Sequence, residues 1–421
     1  MTTAMPGNKK WLIVLGTVIM QMGLGTIYTW SLFNAQLVSK FGWELSSVSI
    51  TFSITSFALA FATLFAGKLQ DRFGLRRLTA AAGIMLGLGL ILSSQASSLP
   101  MFYLLAGVVV GYADGTAYIT SLSNLIKWFP KNKGLISGVS VGAYGTGSLI
   151  FKYINGNLIE SQGVSGAFLY WGIIVMIMIV IGSMLVREAP VPAPAEAKAV
   201  SGRAAAAGGA GIPAKDYTVK EMLRTKEAYL LFVIFFTACM SGLYLIGIVK
   251  DIGVTLAGLD VAAAANAVAM IAIFNTAGRL ILGALSDRMS RLKLLSITLA
   301  VTAAAMFTLS YAALNYGLFF VCVAAIAFCF GGNITVFPAI VSDFFGLKNH
   351  SKNYGVIYQG FGIGALSGSF IAALLGGFKP TFIIIGLLCI LACLIAVSLK
   401  APGQRRAREK GMSLKPSRHT A

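Results

Sequence analysis

A chain of 421 residues with 57% hydrophobic and only 11% charged side chains stands far from the ~25% charged content of soluble domains, and a mean hydropathy of +0.82 excludes a water-soluble enzyme or binding module. The formal net charge of +19 points first to nucleic acid or an anionic surface. Lys and Arg, however, gather in alternate loops and in both tails, which is the positive-inside pattern of a membrane protein, and no nucleic-acid partner is expected.

Residues 1–10 are short and polar, and the apolar run from Trp11 is too long for a signal-peptide core, so it is expected to stay attached as the first membrane helix. Further apolar windows long enough to cross a bilayer give twelve spans, near 11–37, 46–67, 78–96, 100–126, 135–157, 166–186, 228–250, 262–285, 294–314, 317–341, 354–376 and 380–399. The expected fold class is an all-α membrane protein, twelve transmembrane helices in two six-helix bundles. Outside the alternate loops and tails the cations are Lys40, Lys152, Lys250, Lys379 and Arg279. Both termini and the central loop are therefore expected on the cytoplasmic side of the cell membrane.

The domains read as an N-terminal bundle over 1–186, a cytoplasmic linker over 187–227, a C-terminal bundle over 228–400 and a basic cytoplasmic tail over 401–421. The first part of the linker is low-complexity Ala/Gly/Pro and reads as mobile. Thr218 and Glu221 then form a capping box, with Tyr217 and Met222 spaced as a hydrophobic staple, which predicts a short amphipathic helix leading into the seventh span. Cys239, Cys322, Cys329, Cys389 and Cys393 all fall inside apolar segments and read as small core hydrophobes rather than disulfides or metal ligands.

The halves echo each other. Gly67, Asp71, Arg72, Gly74, Arg76 and Arg77 follow the second span; Gly283, Asp287, Arg288, Ser290, Arg291 and Lys293 follow the eighth, 216 residues later. Gly138 and Gly142 recur at an offset of 222 as Gly360 and Gly364. Duplicated halves with a site between them are a common transporter architecture. Asp71 with Arg72 and Asp287 with Arg288 are candidates for a gating latch, charges that pair across helices in one conformation and part in the other. The alternative is topology anchoring, but orientation by positive charge needs no Asp.

The candidate site centres on Arg279, in the middle of an otherwise apolar span. A cation there costs roughly 2.5–3.5 kcal/mol even on a lenient scale, so by default it faces a cavity and has a function. Asn275 lies one turn before it. Asp114, near the centre of span four, is the second intramembrane charge, with Tyr118 four residues on along the same helix face.

The pattern G-x-x-x-D-R-x-G-x-R-R between spans two and three resembles the signature loop of the major facilitator superfamily. More narrowly, Tyr28-Thr-Trp30-Ser-Leu, Lys127-Trp128-Phe129-Pro130, Lys133-Gly134, Met222-Leu-Arg224-Thr225 and Asn353-Tyr354-Gly355 resemble the oxalate/formate antiporter family. Ala113-Asp114-Gly115 and Thr335-Val-Phe337-Pro338 are similar to its pyruvate (monocarboxylate) transporter branch. The resemblance implies the major facilitator fold and transport of a small carboxylate anion. It also implies that Arg279 stands at the family's substrate-binding arginine, with Tyr28, Tyr118 and Tyr144 among the aromatics lining the pocket. Where oxalate-exchanging members carry a second cation in span eleven, this chain has Phe361.

That departure bears on charge. A dianion on one buried cation keeps an uncompensated charge, at several kcal/mol, whereas a monocarboxylate is neutralised and gripped bidentately by the planar guanidinium. The expected substrate is pyruvate-, lactate- or formate-like. With Asp114 ionised the empty site is neutral, and binding a monoanion restores neutrality only if Asp114 takes a proton. This predicts proton symport, the proton being the coupling ion and no other cofactor being expected. The alternative for Asp114 is a structural role at a helix kink by Gly111 or Gly115. Trp30, Phe330, Phe337, Tyr358 and Phe361 are further candidates for the pocket wall, each equally explained as bundle packing.

A membrane-embedded enzyme is disfavoured by the lack of a metal-ligand cluster or Ser/His/Asp set, the two histidines, His350 and His419, falling outside the spans. No phosphate-binding loop suggests a pump, and one buried arginine does not make the ring of groups from which channel filters are built. The expectation is therefore a monomeric carrier in the lipid bilayer, a symporter or, alternatively, a carboxylate exchanger.

Overall fold

The computed structural model describes residues 7–190 and 216–402. The low-complexity linker segment 191–215, the tail beyond 402 and His419 lie outside the described residues. Every regular element among the described residues is helical. Ten helices are long and apolar enough to cross a membrane. One of them, Lys133–Leu185, holds two spans, bent at Gly163 with φ +67°, a conformation that favours glycine. Val261–Leu285, which carries Arg279, supplies the remaining one, and the twelve expected spans are complete.

The spans pair alike in both halves. In the first, span one packs on five and six, two on four and three on six; in the second, seven packs on eleven and twelve, eight on ten and nine on twelve. Between the halves, span five lies along span eight and span two along span eleven. Glycine sets this closeness. A side chain at Gly138 would meet the Arg279 carbonyl at 2.8 Å, and one at Gly355 would meet the Thr63 carbonyl at 2.2 Å. These contacts also correct the register of the internal echo. Arg279 and Thr63 are 216 residues apart, and Gly138 and Gly355 are 217 apart, so Gly355 is the counterpart of Gly138 by environment. Gly360 and Gly364 pack instead on Phe236 and Met240 of span seven, within their own half. An offset of 222 matches glycines that do different jobs.

Two local irregularities place the site. The first span runs as Gly7–Leu24, tightens into a 3-10 turn over Gly25–Thr29 and resumes as Ser31–Phe41. Thr26 and Thr29 return their hydroxyls to the Gly23 and Thr26 carbonyls at 2.8 and 2.7 Å, and such back-bonding bends a helix. Tyr28 projects from this turn. In the fourth span a π-helical stretch, Tyr103–Val109, precedes a regular helix, Val110–Trp128. Gly111 and Gly115 lie inside that regular helix, where any Cβ would strike the Thr55 and Leu59 carbonyls of span two. These two glycines serve close packing, and the irregular stretch of this span lies just before them.

The two linker ends are pinned. Asn124 Nδ2 and Trp128 Nε1 both donate to the Arg187 carbonyl, at 2.9 and 3.0 Å. At the far end the capping box of Thr218 and Glu221 is present, on a helix of only four residues, Val219–Met222. Tyr217 N donates to the Phe345 carbonyl at 2.9 Å, which ties this helix to the second half.

Candidate functional site

Arg279 is buried, with 2% of its surface exposed. Span five offers glycine where span eight passes, and a Cβ on Gly145 would stand 3.4 Å from Arg279 Nη1. That gap lets Nη1 reach across the halves and donate to the Val141 carbonyl at 2.7 Å. Nε has no hydrogen-bond partner, and among the described residues no carboxylate is within ion-pair distance. A carbonyl satisfies one donor but leaves the charge uncompensated. The expense of burying that charge is offset only when an anion arrives.

Tyrosines surround it. Tyr144 meets Tyr28 and Tyr118 edge-on, with ring centroids 5.2 and 5.6 Å apart, and Tyr118 meets Tyr358 at 5.4 Å. With Leu59, Val141 and Ile334 these residues and Arg279 line a nearly filled cavity of about 10 Å³ between the halves, room for about one water molecule. A substrate therefore enters only as the surrounding helices part. The Tyr118 hydroxyl is buried and makes no close hydrogen bond among the described residues.

The structure thus brings Tyr28, Tyr118, Tyr144, Tyr358 and Arg279 together, as the sequence suggested. Three further candidates stand behind this wall rather than in it. Phe361 stacks on the outer face of Tyr358, centroids 5.2 Å apart. Phe330 fills the space over Gly242. Asn275 is buried off the lining, its Nδ2 unpartnered. Trp30 and Phe337 belong to the packing, Trp30 among Phe33, Phe102 and Phe168 and Phe337 on Phe235 at 4.5 Å. Leu59, Val141 and Ile334 carried no signal in the sequence, being ordinary apolar residues until two helices face each other.

Asp114 is fully buried. The Tyr144 hydroxyl lies 3.4 Å from both carboxylate oxygens, a long bond by the usual 2.5–3.0 Å of O–H···O contacts. Tyr144 therefore links the carboxyl to the cavity that Arg279 lines. No cation pairs with Asp114 among the described residues.

At the end of the bundle where the Asp-Arg loops lie, hereafter the basic end, the halves are tied together. Asp287 accepts hydrogen bonds from the Gly134 and Leu135 N–H groups, each at 2.8 Å, so a carboxylate caps the open first turn of span five, where the helix dipole favours negative charge. Asp71, its counterpart, pairs across the halves with Lys352 at the start of span eleven. Lys133 Nζ reaches Asp343 at 2.9 Å, and Arg291 bridges Asp343 and Asp287 at 2.5 and 2.7 Å. Among the described residues the predicted partners Arg72 and Arg288 form no ion pair: Arg72 lies over the Phe73 ring at 5.3 Å and Arg288 is exposed. Sequence reasoning missed Lys133, Lys352, Arg291 and Asp343 because the first three count as ordinary topology-setting cations. Asp343, an acid at the end of an apolar span, was the available signal.

His350, expected outside the spans, instead opens the helix His350–Ile357 and is fully buried between the halves. Its Nδ1 is 3.0 Å from Ser123 Oγ and its Nε2 2.8 Å from the Pro338 carbonyl. Only a donor suits a carbonyl, so Nε2 carries the hydrogen and Nδ1 accepts from Ser123.

A twelve-helix bundle in two like halves, with one unneutralised cation in a cavity between them and ion pairs across one end, defines a polytopic membrane transporter. The model of the Major Facilitator Superfamily matches residues 13–274 and 244–419, and the chain belongs to that superfamily. It is 47% identical over 366 residues to the uncharacterized MFS-type transporter YhjX of Escherichia coli (strain K12), covering 87% of this chain and 88% of the relative. Over 419 residues it is 27% identical to the oxalate:formate antiporter of Oxalobacter formigenes, covering 99% and 97%. A solved structure of the proton:xylose symporter XylE superposes with a TM-score of 0.72 at 14% identity, covering 93% of this chain and 96% of that one, and shares the fold.

Proposed function

We propose that the protein carries a small monocarboxylate, of the pyruvate, lactate or formate kind, by alternating access in the cell membrane, with both termini cytoplasmic. The observation that carries this reading is Arg279: a buried guanidinium, bonded to one backbone carbonyl, beside a small cavity at the meeting of two halves. An incoming carboxylate would take Nε and Nη2 in a fork while Nη1 keeps the Val141 carbonyl, the geometry that makes Arg selective for planar anions. The Tyr118 hydroxyl, on the same cavity, would donate to the same group. The basic-end ties supply the element with two arrangements, closed as they stand here and parted when the cavity opens to that side.

Proton symport through Asp114 is part of the proposal. A buried carboxylate with one long hydrogen bond and no cation beside it among the described residues is a place where taking up a proton removes a charging cost of several kcal/mol, and Tyr144 joins it to the cavity. The 27% likeness to an oxalate:formate antiporter favours exchange as the second reading. Reconstituted protein separates the two. Uphill uptake of labelled pyruvate or lactate under an inward proton gradient, abolished in Asp114→Asn while counterflow persists, is expected for symport. Counterflow alone, insensitive to a pH gradient in both proteins, would leave exchange. Ungated conductance, or no saturable flux of any monocarboxylate, would overturn the carrier assignment itself.

A further inference from the structure

A second site lies at the basic end, outside the transport path. Phe73, Gly74, Leu75, Arg76, Arg77, Val186, Arg187 and Glu188 line an open groove of about 410 Å³ between the start of span three and the end of span six. Its walls are fixed before any ligand arrives. Arg76 Nη2 donates to the Val186 carbonyl at 3.3 Å. Asn124 grips the next residues from both sides, donating to Arg187 O at 2.9 Å and accepting from Ala189 N at 2.8 Å. Gln70 Nε2 holds the Glu188 carboxylate at 3.0 Å.

The groove is cationic, with three arginines against the one Glu188 carboxylate. Arg76, Arg77 and Arg187 are exposed, and none pairs with a carboxylate among the described residues. Its position is equally specific. Phe73, with 48% of its surface exposed, stands at its rim. Below it run the outward apolar faces of the two bounding spans, Ile84 and Leu88 on span three and Ile181 and Met184 on span six, all exposed on the protein surface. A ligand seated here would have an anionic head among arginines and apolar tails along a lipid-facing wall. Juxtamembrane arginines gain about 1 kcal/mol each from anionic headgroups, and the guanidinium fork matches phosphate oxygens. In the second half the equivalent positions of Arg76 and Arg77 are Leu292 and Lys293, and the neighbouring Arg291 turns inward to Asp287 and Asp343. Arg291 is thus spent on the gate, whereas Lys293 stays exposed where Arg77 does in the first half.

We propose that this groove seats the phosphate of an anionic membrane phospholipid, held by Arg76, Arg77 and Arg187 with its acyl chains on the span three and span six surface. The full chain is placed in phosphatidylcholine nanodiscs with and without phosphatidylglycerol, and phosphatidylglycerol retention is read by native mass spectrometry. Arg77→Gln with Arg187→Gln keeps the Arg76 bond to Val186 and tests the groove. Its phosphatidylglycerol affinity should fall about 25-fold, at about fivefold per arginine. Arg224→Gln with Lys226→Gln removes two exposed cations elsewhere on the same end and should leave affinity within about twofold. Equal losses in the two double variants would reduce the effect to general surface charge and overturn the site, as would unchanged retention in the groove variant. Displacement of phosphatidylglycerol by millimolar inorganic phosphate would assign the groove to a free phosphate instead.

Discussion

Asp287, at the foot of span eight, holds the first turn of span five: its two carboxylate oxygens accept the Gly134 and Leu135 N–H groups at 2.8 Å each. The bond joins the halves at the end where they must part for the cavity to open. Hydrogen bonds to a charged group contribute about 1.5–3 kcal/mol, a factor of roughly ten to a hundred in the equilibrium. Asp287→Asn loses the charge and one acceptor. A cysteine introduced at Ser137, buried beneath this contact, should react with a thiol reagent applied from the basic end about tenfold faster in that background. An unchanged labelling rate would mean that the contact does not restrain opening.

Arg279 donates through Nη1 to the Val141 carbonyl and keeps Nε open to a substrate carboxylate. Arg279→Gln should lose monocarboxylate binding by about 2–5 kcal/mol, the usual effect of truncating one partner of a buried charge pair. Arg279→Lys keeps the charge but not the fork, and should recover only part of the affinity. Tryptophan quenching or calorimetry over formate, lactate, pyruvate and oxalate gives the answer. Wild-type affinity in the Gln variant would remove Arg279 from the site.

Two glycines on span five separate gating from folding. A methyl at Gly134 would stand 1.9 Å from Ser286 Oγ and 2.4 Å from the Gly283 carbonyl, both in the other half. A methyl at Gly147 would stand 2.0 Å from the Met22 carbonyl, in the same half. Overpacking costs about 1–3 kcal/mol in either place. Gly134→Ala can escape by opening the basic end, so it should raise accessibility there with a small change in Tm. Gly147→Ala has no such escape and should lower Tm by several degrees with little change in accessibility. Identical behaviour of the two variants would contradict this division.

Asp343 neutralises two cations, Lys133 at 2.9 Å and Arg291 at 2.5 Å, and both it and Lys133 are buried. Asp343→Asn strands a buried ammonium, which typically costs about 3–5 kcal/mol. A lowered Tm is expected, and Lys133→Met combined with Asp343→Asn should recover more than half of the loss. If the double variant is no more stable than Asp343→Asn alone, the pair is not the source of the stability.

Much of this was legible in the chain. Hydropathy alone gave twelve spans, because a bilayer imposes a minimum apolar length on every crossing helix. The price of a charge in hydrocarbon singled out Arg279 and Asp114, and the duplicated loops singled out Asp71 and Asp287. The partners of these residues were not legible. Lys133, Lys352 and Arg291 look like any loop cation, and His350 looks like a loop histidine. Only the approach of span five to span eight, and of span eleven to span two, turns them into contacts between halves.

The sequence by itself therefore determined the class, the number of spans and the two expensive charges, since each follows from the cost of polar groups in lipid, a property of single residues and windows. The tertiary structure decided which tyrosines face Arg279, that Phe330, Phe361 and Asn275 stand behind them, and that Gly355 rather than Gly360 answers Gly138. Those are facts of distance between residues hundreds of positions apart, where a rotation of one helix by a single residue exchanges a lining side chain for a packing one.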